Sequence, residues 1–340
     1  MLLLKNDARI LDHFSSMSSK LFLYLGSDVT IRAISESYLA PESQTTVNLI
    51  KILSRSGAKL ALTEKTVDEV ATHIRSSIYE FENMYGSVEQ HIDSDTVEYI
   101  DRILIRSYFY SKLIPEEGAS RPRNWRAYVS QFCNYTDVKS NKGDQELADY
   151  LIRKFDLVYE TAIEMEKGID PEELRKLSAE IEKVRARTGK MKRNARILAY
   201  NDALQVLRVY QRRLEKGENS PGNPFGFQTW WLTQDQKVRR GAAEAVRDHG
   251  GKFFMMRPEF LLSYVGFAPN LAEVRESYKT VFPSALGVRL SYGIKTEQFE
   301  KVMRDASDIS SVDDARAGAM ISAMTEKLKA DAHRKFDSTW

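Results

Sequence analysis

The chain has 340 residues, of which 42% are apolar and 29% charged, and a formal net charge of +2. That length and balance suit a globular protein with a large core in one or two domains, and they exclude a globally basic nucleic-acid coat. A single cysteine, Cys133, excludes a disulfide framework and a thiolate cluster for zinc.

The opening run Met1-Leu2-Leu3-Leu4 is cut off by Lys5, Asn6 and Asp7 and is too short for a signal peptide. With no apolar stretch of membrane-spanning length, the expectation is a cytoplasmic protein without a membrane partner. Residues 21–25, Leu-Phe-Leu-Tyr-Leu, read as a strand that stops at Gly26-Ser27-Asp28. An unbroken apolar run points to burial on both faces, as in a parallel sheet. A helix is expected over 43–56, with Ser43 able to cap it, Val47, Ile50 and Leu53 on one face, and Gly57 as its stop. Lys59 to Leu62 reads as a second strand, and Thr63 as the cap of a helix running to about Ile78. The same alternation returns at 202–216 (helix), 227–233 (strand), 236–248 (helix) and 252–256 (strand). Strands alternating with helices predict an α/β fold, a parallel sheet flanked by helices.

Residues 79–194 lack strand signals and are expected to form a large helical insertion. Residues 258–340 are expected to form a helical C-terminal region. The apolar run Phe260, Leu261, Leu262, Tyr264, Val265 and Phe267 offers either core or a homo-oligomer surface.

Four acids stand beside the expected strand ends. Asp28 lies just past the first strand, Glu69 about a turn into the helix after the second, Asp202 at a helix start, and Asp235 just past the third strand. Open parallel sheets bind ligands at the carboxyl ends of their strands, so acids distant in sequence can meet there. Clustered carboxylates repel unless cations lie between them, and Mg²⁺ or Mn²⁺ suits an all-oxygen donor set. Taken singly, each acid has a plainer reading: Asp28 as a turn residue, Glu69 as a solvated helix position, Asp202 as an N-cap.

In this setting the sequence resembles the PIN-domain nucleases. Leu23-Tyr24-Leu25-Gly26-Ser27-Asp28-Val29 is similar to their first motif, and Thr66-Val67-Asp68-Glu69-Val70 to their second. Asn201-Asp202-Ala203 is similar to the third, and Leu232-Thr233-Gln234-Asp235 to the fourth. The resemblance covers roughly 20–78 and 195–257, the PIN-like core. It implies a Mg²⁺- or Mn²⁺-dependent nuclease, most often an endoribonuclease, with RNA favoured over DNA as partner. Asp28, Glu69, Asp202 and Asp235 would be catalytic and metal-binding, oriented by Ser27 and Thr233. The chain departs from the pattern at one point: the family's first metal-binding Asp aligns with Gly26, and glycine has no side chain to offer. Either Asp28 takes over, or the site is weakened, or the protein is an inactive PIN-like subunit that binds nucleic acid or another protein. The resemblance also implies a gain of cleavage for Gly26→Asp.

The densest basic run is Lys183, Arg185, Arg187, Lys190, Lys192, Arg193 and Arg196. It reads equally as a solvated helix face and as a nucleic-acid contact, with Lys190, Lys192, Arg193 and Arg196 nearest the acids. Arg121, Arg123 and Arg126 around Trp125 read as a surface turn, and Trp230-Trp231 as core. A third class of reading is a helical assembly protein in which the acids coincide by chance.

Overall fold

A computed structural model of the chain describes residues 19–114, 117, 119, 121–140, 142–186, 192–220, 226–261 and 297–337, with side chains at 42, 192–194 and 329–337 outside that description. In chain order the elements are β1 (Phe22–Leu25), α1 (Ser27–Ser35), α2 (Thr45–Arg55), β2 (Lys59–Thr63) and α3 (Glu64–Glu80). Then come α4 (Ile103–Leu113), α5 (Trp125–Ser130), α6 (Tyr135–Lys139), α7 (Asp144–Phe155), β3 (Val158–Glu160), α8 (Ala162–Glu166), α9 (Pro171–Ala186) and α10 (Lys192–Glu215). The chain continues through β4 (Thr229–Leu232), α11 (Gln236–Gly241), α12 (Ala243–Asp248), β5 (Met255–Met256), α13 (Glu297–Ser310) and α14 (Asp314–Asp337). Short 3₁₀ and π turns occupy parts of 41–43 and 81–99.

Two compact units divide the chain. One comprises Met1–Thr30, Thr46–Val70 and Gln145–Phe282, the other Ile31–Thr45, Ala71–Asp144 and Pro283–Trp340. The first unit carries a five-stranded sheet in the order β3-β2-β1-β4-β5, every pair parallel. The fold is therefore α/β. All four residues of β1 are buried, as its unbroken apolar run requires. Phe22 and Tyr24 point to one face, where Trp231, Leu177 and Ile181 of α9, Ala203 and Leu207 of α10, and Phe254 complete a core. Trp230 and Trp231 are both buried, and the Trp230 indole N–H reaches the Phe227 carbonyl at 2.7 Å.

The strand order reverses between β1 and β4: the chain moves outward from β1 through β2 to β3, then returns to the other side of β1. In open α/β sheets such a reversal leaves a crevice at the carboxyl ends of the two central strands. Here those ends are Leu25 and Leu232, paired in register.

Three local features differ from expectation. The helix α1 starts directly at Ser27, where only a turn was expected; its β-branched Val29, Thr30 and Ile31 weaken the helical signal. Strand β3 lies inside the stretch 79–194 read as wholly helical. It is three residues long, half-exposed, and follows Asp156, whose φ of 54° ends α7. The third difference is the helix carrying Asp202, which begins at Lys192 rather than at 202.

In the second unit, aromatic rings make the core. Phe81 stacks on Trp125 with centroids 4.6 Å apart, and Trp125 stacks on Tyr128 at 5.5 Å. Trp125 is thus a packing residue flanked by exposed arginines, Arg121, Arg123 and Arg126. Of the C-terminal apolar run, Phe260 and Leu261 are described; Leu262, Tyr264, Val265 and Phe267 lie outside the described residues. No helix among the described residues is long and apolar enough to cross a membrane.

Candidate active site

The carboxyl end of β1 continues its pairing for one residue, as the Gly26 N–H donates to the Leu232 carbonyl at 2.9 Å. Asp28 then falls in the first turn of α1, where the helix N-terminus favours a negative charge. Its carboxylate reaches back across the strand reversal. Thr233 Oγ1 donates to Asp28 Oδ1 at 3.0 Å, and the Gln234 N–H donates to Oδ2 at 2.7 Å. Burial still pushes the Asp28 carboxyl above its ordinary range, against these hydrogen bonds.

Position 26 explains how Asp28 is placed. A Cβ at Gly26 would lie 2.5 Å from Asp28 Oδ1, 3.0 Å from the Leu232 carbonyl oxygen and 3.0 Å from Thr233 Cβ. The Asp28 carboxylate fills the space that a side chain at 26 would need. Gly26→Asp therefore requires the Asp28 carboxylate, the far end of a flexible side chain, to shift, so the gain of cleavage that the resemblance implies would come with a displaced Asp28.

Glu69 sits on α3. Ser27 Oγ donates to its Oε2 at 2.7 Å, and Asn201 Nδ2 donates to its Oε1 at 3.0 Å. Burial raises the Glu69 pKa, Ser27, Asn201 and Arg185 pull it down, and Asp28 adds to the rise. Asp202 lies ten residues into α10 rather than at a helix start, so it does not cap. Its side chain is buried, and burial raises its pKa to about 8 even with Arg185 alongside; Glu69 and Asp235 contribute repulsion. Asp235 is the N-cap of α11. Its Oδ1 accepts the Lys237 N–H at 2.8 Å, which leaves Oδ2 for another partner.

That partner is Arg185, in the last turn of α9. Its guanidinium bridges two of the acids, 2.6 Å from Asp202 Oδ2 and 2.6 Å from Asp235 Oδ2. Burial lowers the Arg185 pKa, but the two carboxylates more than reverse that. The sequence placed Arg185 in a basic run read for phosphates or solvent; it is instead turned onto the acids. Asn201 was noted only as a neighbour of Asp202, yet it holds Glu69. Adjacency to Asp202 is the sequence signal for Asn201, and Arg185 carries none. Of the expected nucleic-acid contacts, Arg196 is exposed on α10; Lys190 and the side chains of Lys192 and Arg193 lie outside the described residues.

The four acids form a ring of mutual repulsion. Asp235 raises Asp28, Asp28 raises Glu69, and Glu69 and Asp235 raise Asp202. Thr233 links two members directly, donating to Asp28 and accepting the Asp235 N–H at 3.1 Å. Among the described residues no three His, Cys, Asp or Glu side chains already converge as a metal-ion group. The donor chemistry nonetheless suits a hard divalent cation: the donors are carboxylate oxygens, and burial first, then repulsion from neighbouring acids, raises Asp28, Glu69 and Asp202 above the ordinary carboxylate range. Asp202 Oδ1 takes no hydrogen bond from the described residues, and the oxygens of Glu69 and Asp28 keep second lone pairs.

The chain matches no protein-family model, no curated protein and no solved structure.

Proposed function

We propose that this chain is a PIN-like, Mg²⁺- or Mn²⁺-dependent nuclease acting on RNA. The observation that carries this reading is the ring of four acids, drawn from α1, α3, α10 and the end of β4 to the reversal between β1 and β4. A fold gains no stability from buried like charges; replacing such groups with apolar ones is often neutral or stabilising. Their linkage through Thr233 and Arg185 at the ligand-binding end of a parallel sheet suits closure onto a cation and a phosphodiester.

In this reading Asp28, Glu69, Asp202 and Asp235 hold the divalent ion. Once bound, the ion would polarise a phosphate oxygen and lower the pKa of a water. The chain's own groups set the stage. Thr233 and the Gln234 N–H fix the Asp28 carboxylate, and Ser27 and Asn201 fix Glu69. The α11 amides fix Asp235. Arg185 offsets one negative charge of the ring, so the remaining acids still call for a cation. Asp28 supplies the carboxylate that Gly26 cannot, so the ring keeps its first member. RNA rather than DNA follows from the resemblance alone, and of the four expected phosphate contacts Arg196 is the one described with an exposed side chain.

The test is cleavage of single-stranded RNA in Mn²⁺ or Mg²⁺ by the unaltered chain and by Asp202→Asn, with metal binding followed by calorimetry. Metal-dependent cleavage lost in the variant is expected. Failure of the unaltered chain both to bind Mn²⁺ and to cleave would overturn the reading.

Arg185 favours a second reading. Its guanidinium already bridges Asp202 and Asp235 as a built-in cation, as in a PIN-like protein that has given up catalysis and binds RNA or a protein partner. RNA binding without cleavage in either metal would select it.

A further inference from the structure

The opposite ends of the same strands carry the opposite charge. Phe22, Lys59 and Thr229 are the first residues of β1, β2 and β4, and they border a pocket of about 290 Å³. Four cations line it: Lys20 before β1, Lys59 on β2, Arg212 in the last turn of α10, and Lys216 just beyond it. A single acid, Glu218, shares the lining, and its carboxylate is directed elsewhere. Its Oε2 accepts the Gln228 and Thr229 N–H groups at 2.8 and 3.0 Å, and its Oε1 accepts the Thr229 hydroxyl.

The lysines are exposed, and among the described residues none of their ammonium groups has a hydrogen bond or ion pair. Arg212 is fixed in the wall. Its guanidinium lies 3.4 Å over the Phe22 ring and 3.7 Å from Glu160, and its buried Nε has no partner among the described residues. Glu160 is itself shared with Tyr24 at 3.0 Å and with Arg208 at 3.0 Å, so it does not neutralise the pocket. The C-terminus of α10 favours positive charge at Arg212 and Lys216, but Lys20 and Lys59 come from other segments and owe nothing to that helix. Three unpaired lysines beside a fixed arginine around a concavity attract an anion, and ammonium groups bind phosphate as point charges. The volume is at the small end of ligand sites, enough for a phosphate or a mononucleotide and too small to track a strand.

We propose that this basic pocket at the amino ends of β1, β2 and β4 binds a small phosphorylated ligand through Lys20, Lys59, Arg212 and Lys216. It lies at the other end of the strands from the acid ring and does not rest on the nuclease reading.

The experiment is calorimetric titration of the full chain with orthophosphate, AMP and adenosine, and with a single-stranded oligonucleotide lacking a terminal phosphate. A chelator is present throughout, so divalent metal at the acid ring plays no part. Saturable binding of orthophosphate or AMP is expected, with adenosine silent. The double variant Lys59→Ala/Lys216→Ala, altered only at exposed side chains, should weaken that binding at least about tenfold. AMP binding more tightly than orthophosphate assigns the site to a nucleotide; equal affinities assign it to free phosphate. The proposal is overturned by absence of saturable binding, by equal affinity in the double variant, or by binding of the oligonucleotide alone.

Discussion

The two ends of one short strand differ in how they treat charge. At the carboxyl end of β1 the acids are drawn inward and tied down: Asp28 by Thr233 and Gln234, Glu69 by Ser27 and Asn201, Asp202 and Asp235 by Arg185. At the amino end Lys20, Lys59 and Lys216 stand in solvent without partners among the described residues. Exposed like charges cost little because water screens them, whereas buried ones cost several kcal/mol each unless paired. The contrast teaches where folding and function pull against each other. The acid end relies on its partners to be tolerated in the fold, and the basic end makes no such demand.

Removing the buried cation should have the largest effect. Arg185→Ala leaves Asp235 without its ion-pair partner and the buried Asp202 carboxyl without its donor. A loss of about 3–5 kcal/mol is expected in urea unfolding at neutral pH with chelator present. Adding Mn²⁺ should restore part of it, since the ion takes over the role of the guanidinium. An equal loss with and without Mn²⁺ would make Arg185 a purely structural partner and favour the non-catalytic reading.

Gly26→Ala comes next. The added methyl would sit against Asp28 Oδ1, the Leu232 carbonyl and Thr233 Cβ, so a loss of about 1–3 kcal/mol is expected from overpacking. In the Asp28→Ala background the same substitution should cost less, and a double-mutant cycle measures the coupling. Additive losses would mean that the two positions do not share space.

The smallest effect per pH unit is the pH dependence, although it accumulates across its whole window. Asp202 has a folded-state pKa of about 8 against an ordinary 3.8, so the folded chain holds a proton that the unfolded chain releases. Stability is then greatest near pH 4, declines as pH rises through about 8, and levels off above. The slope is at most about 1.4 kcal/mol per pH unit for one proton. Asp202→Asn should flatten that slope while Lys59→Ala leaves it in place. A slope unchanged in Asp202→Asn would assign the titration elsewhere.

Much of the sheet was legible because its strands are buried on both faces. Leu-Phe-Leu-Tyr-Leu at 21–25 and Lys59 to Leu62 could be read directly as strands, and the four acids could be placed against their ends. β3 was not legible, since Val-Tyr-Glu is too short and too polar to stand out, and only pairing with β2 makes it a strand. Asn201-Asp202 has the composition of a helix cap, so mid-helix placement was hidden. Its side chains face Glu69 and Arg185 instead of their own backbone, a choice made by tertiary packing. Arg185 lay in plain view within a basic run, but direction is a property of the folded chain. No spacing rule distinguishes an arginine turned inward from its solvent-facing neighbours.

The volume shared by positions 26 and 28 has a consequence for the history of such a chain. A carboxylate can move two places along the sequence while remaining near one spot in space. The steps between are unequal: acids at both positions collide, and an acid at neither leaves the ring with three. A lineage exchanging one arrangement for the other must pass through a crowded or a vacant intermediate. The space beside Gly26 is taken by the carboxylate two residues on, so the residue allowed at position 26 and the placement of Asp28 are one question rather than two.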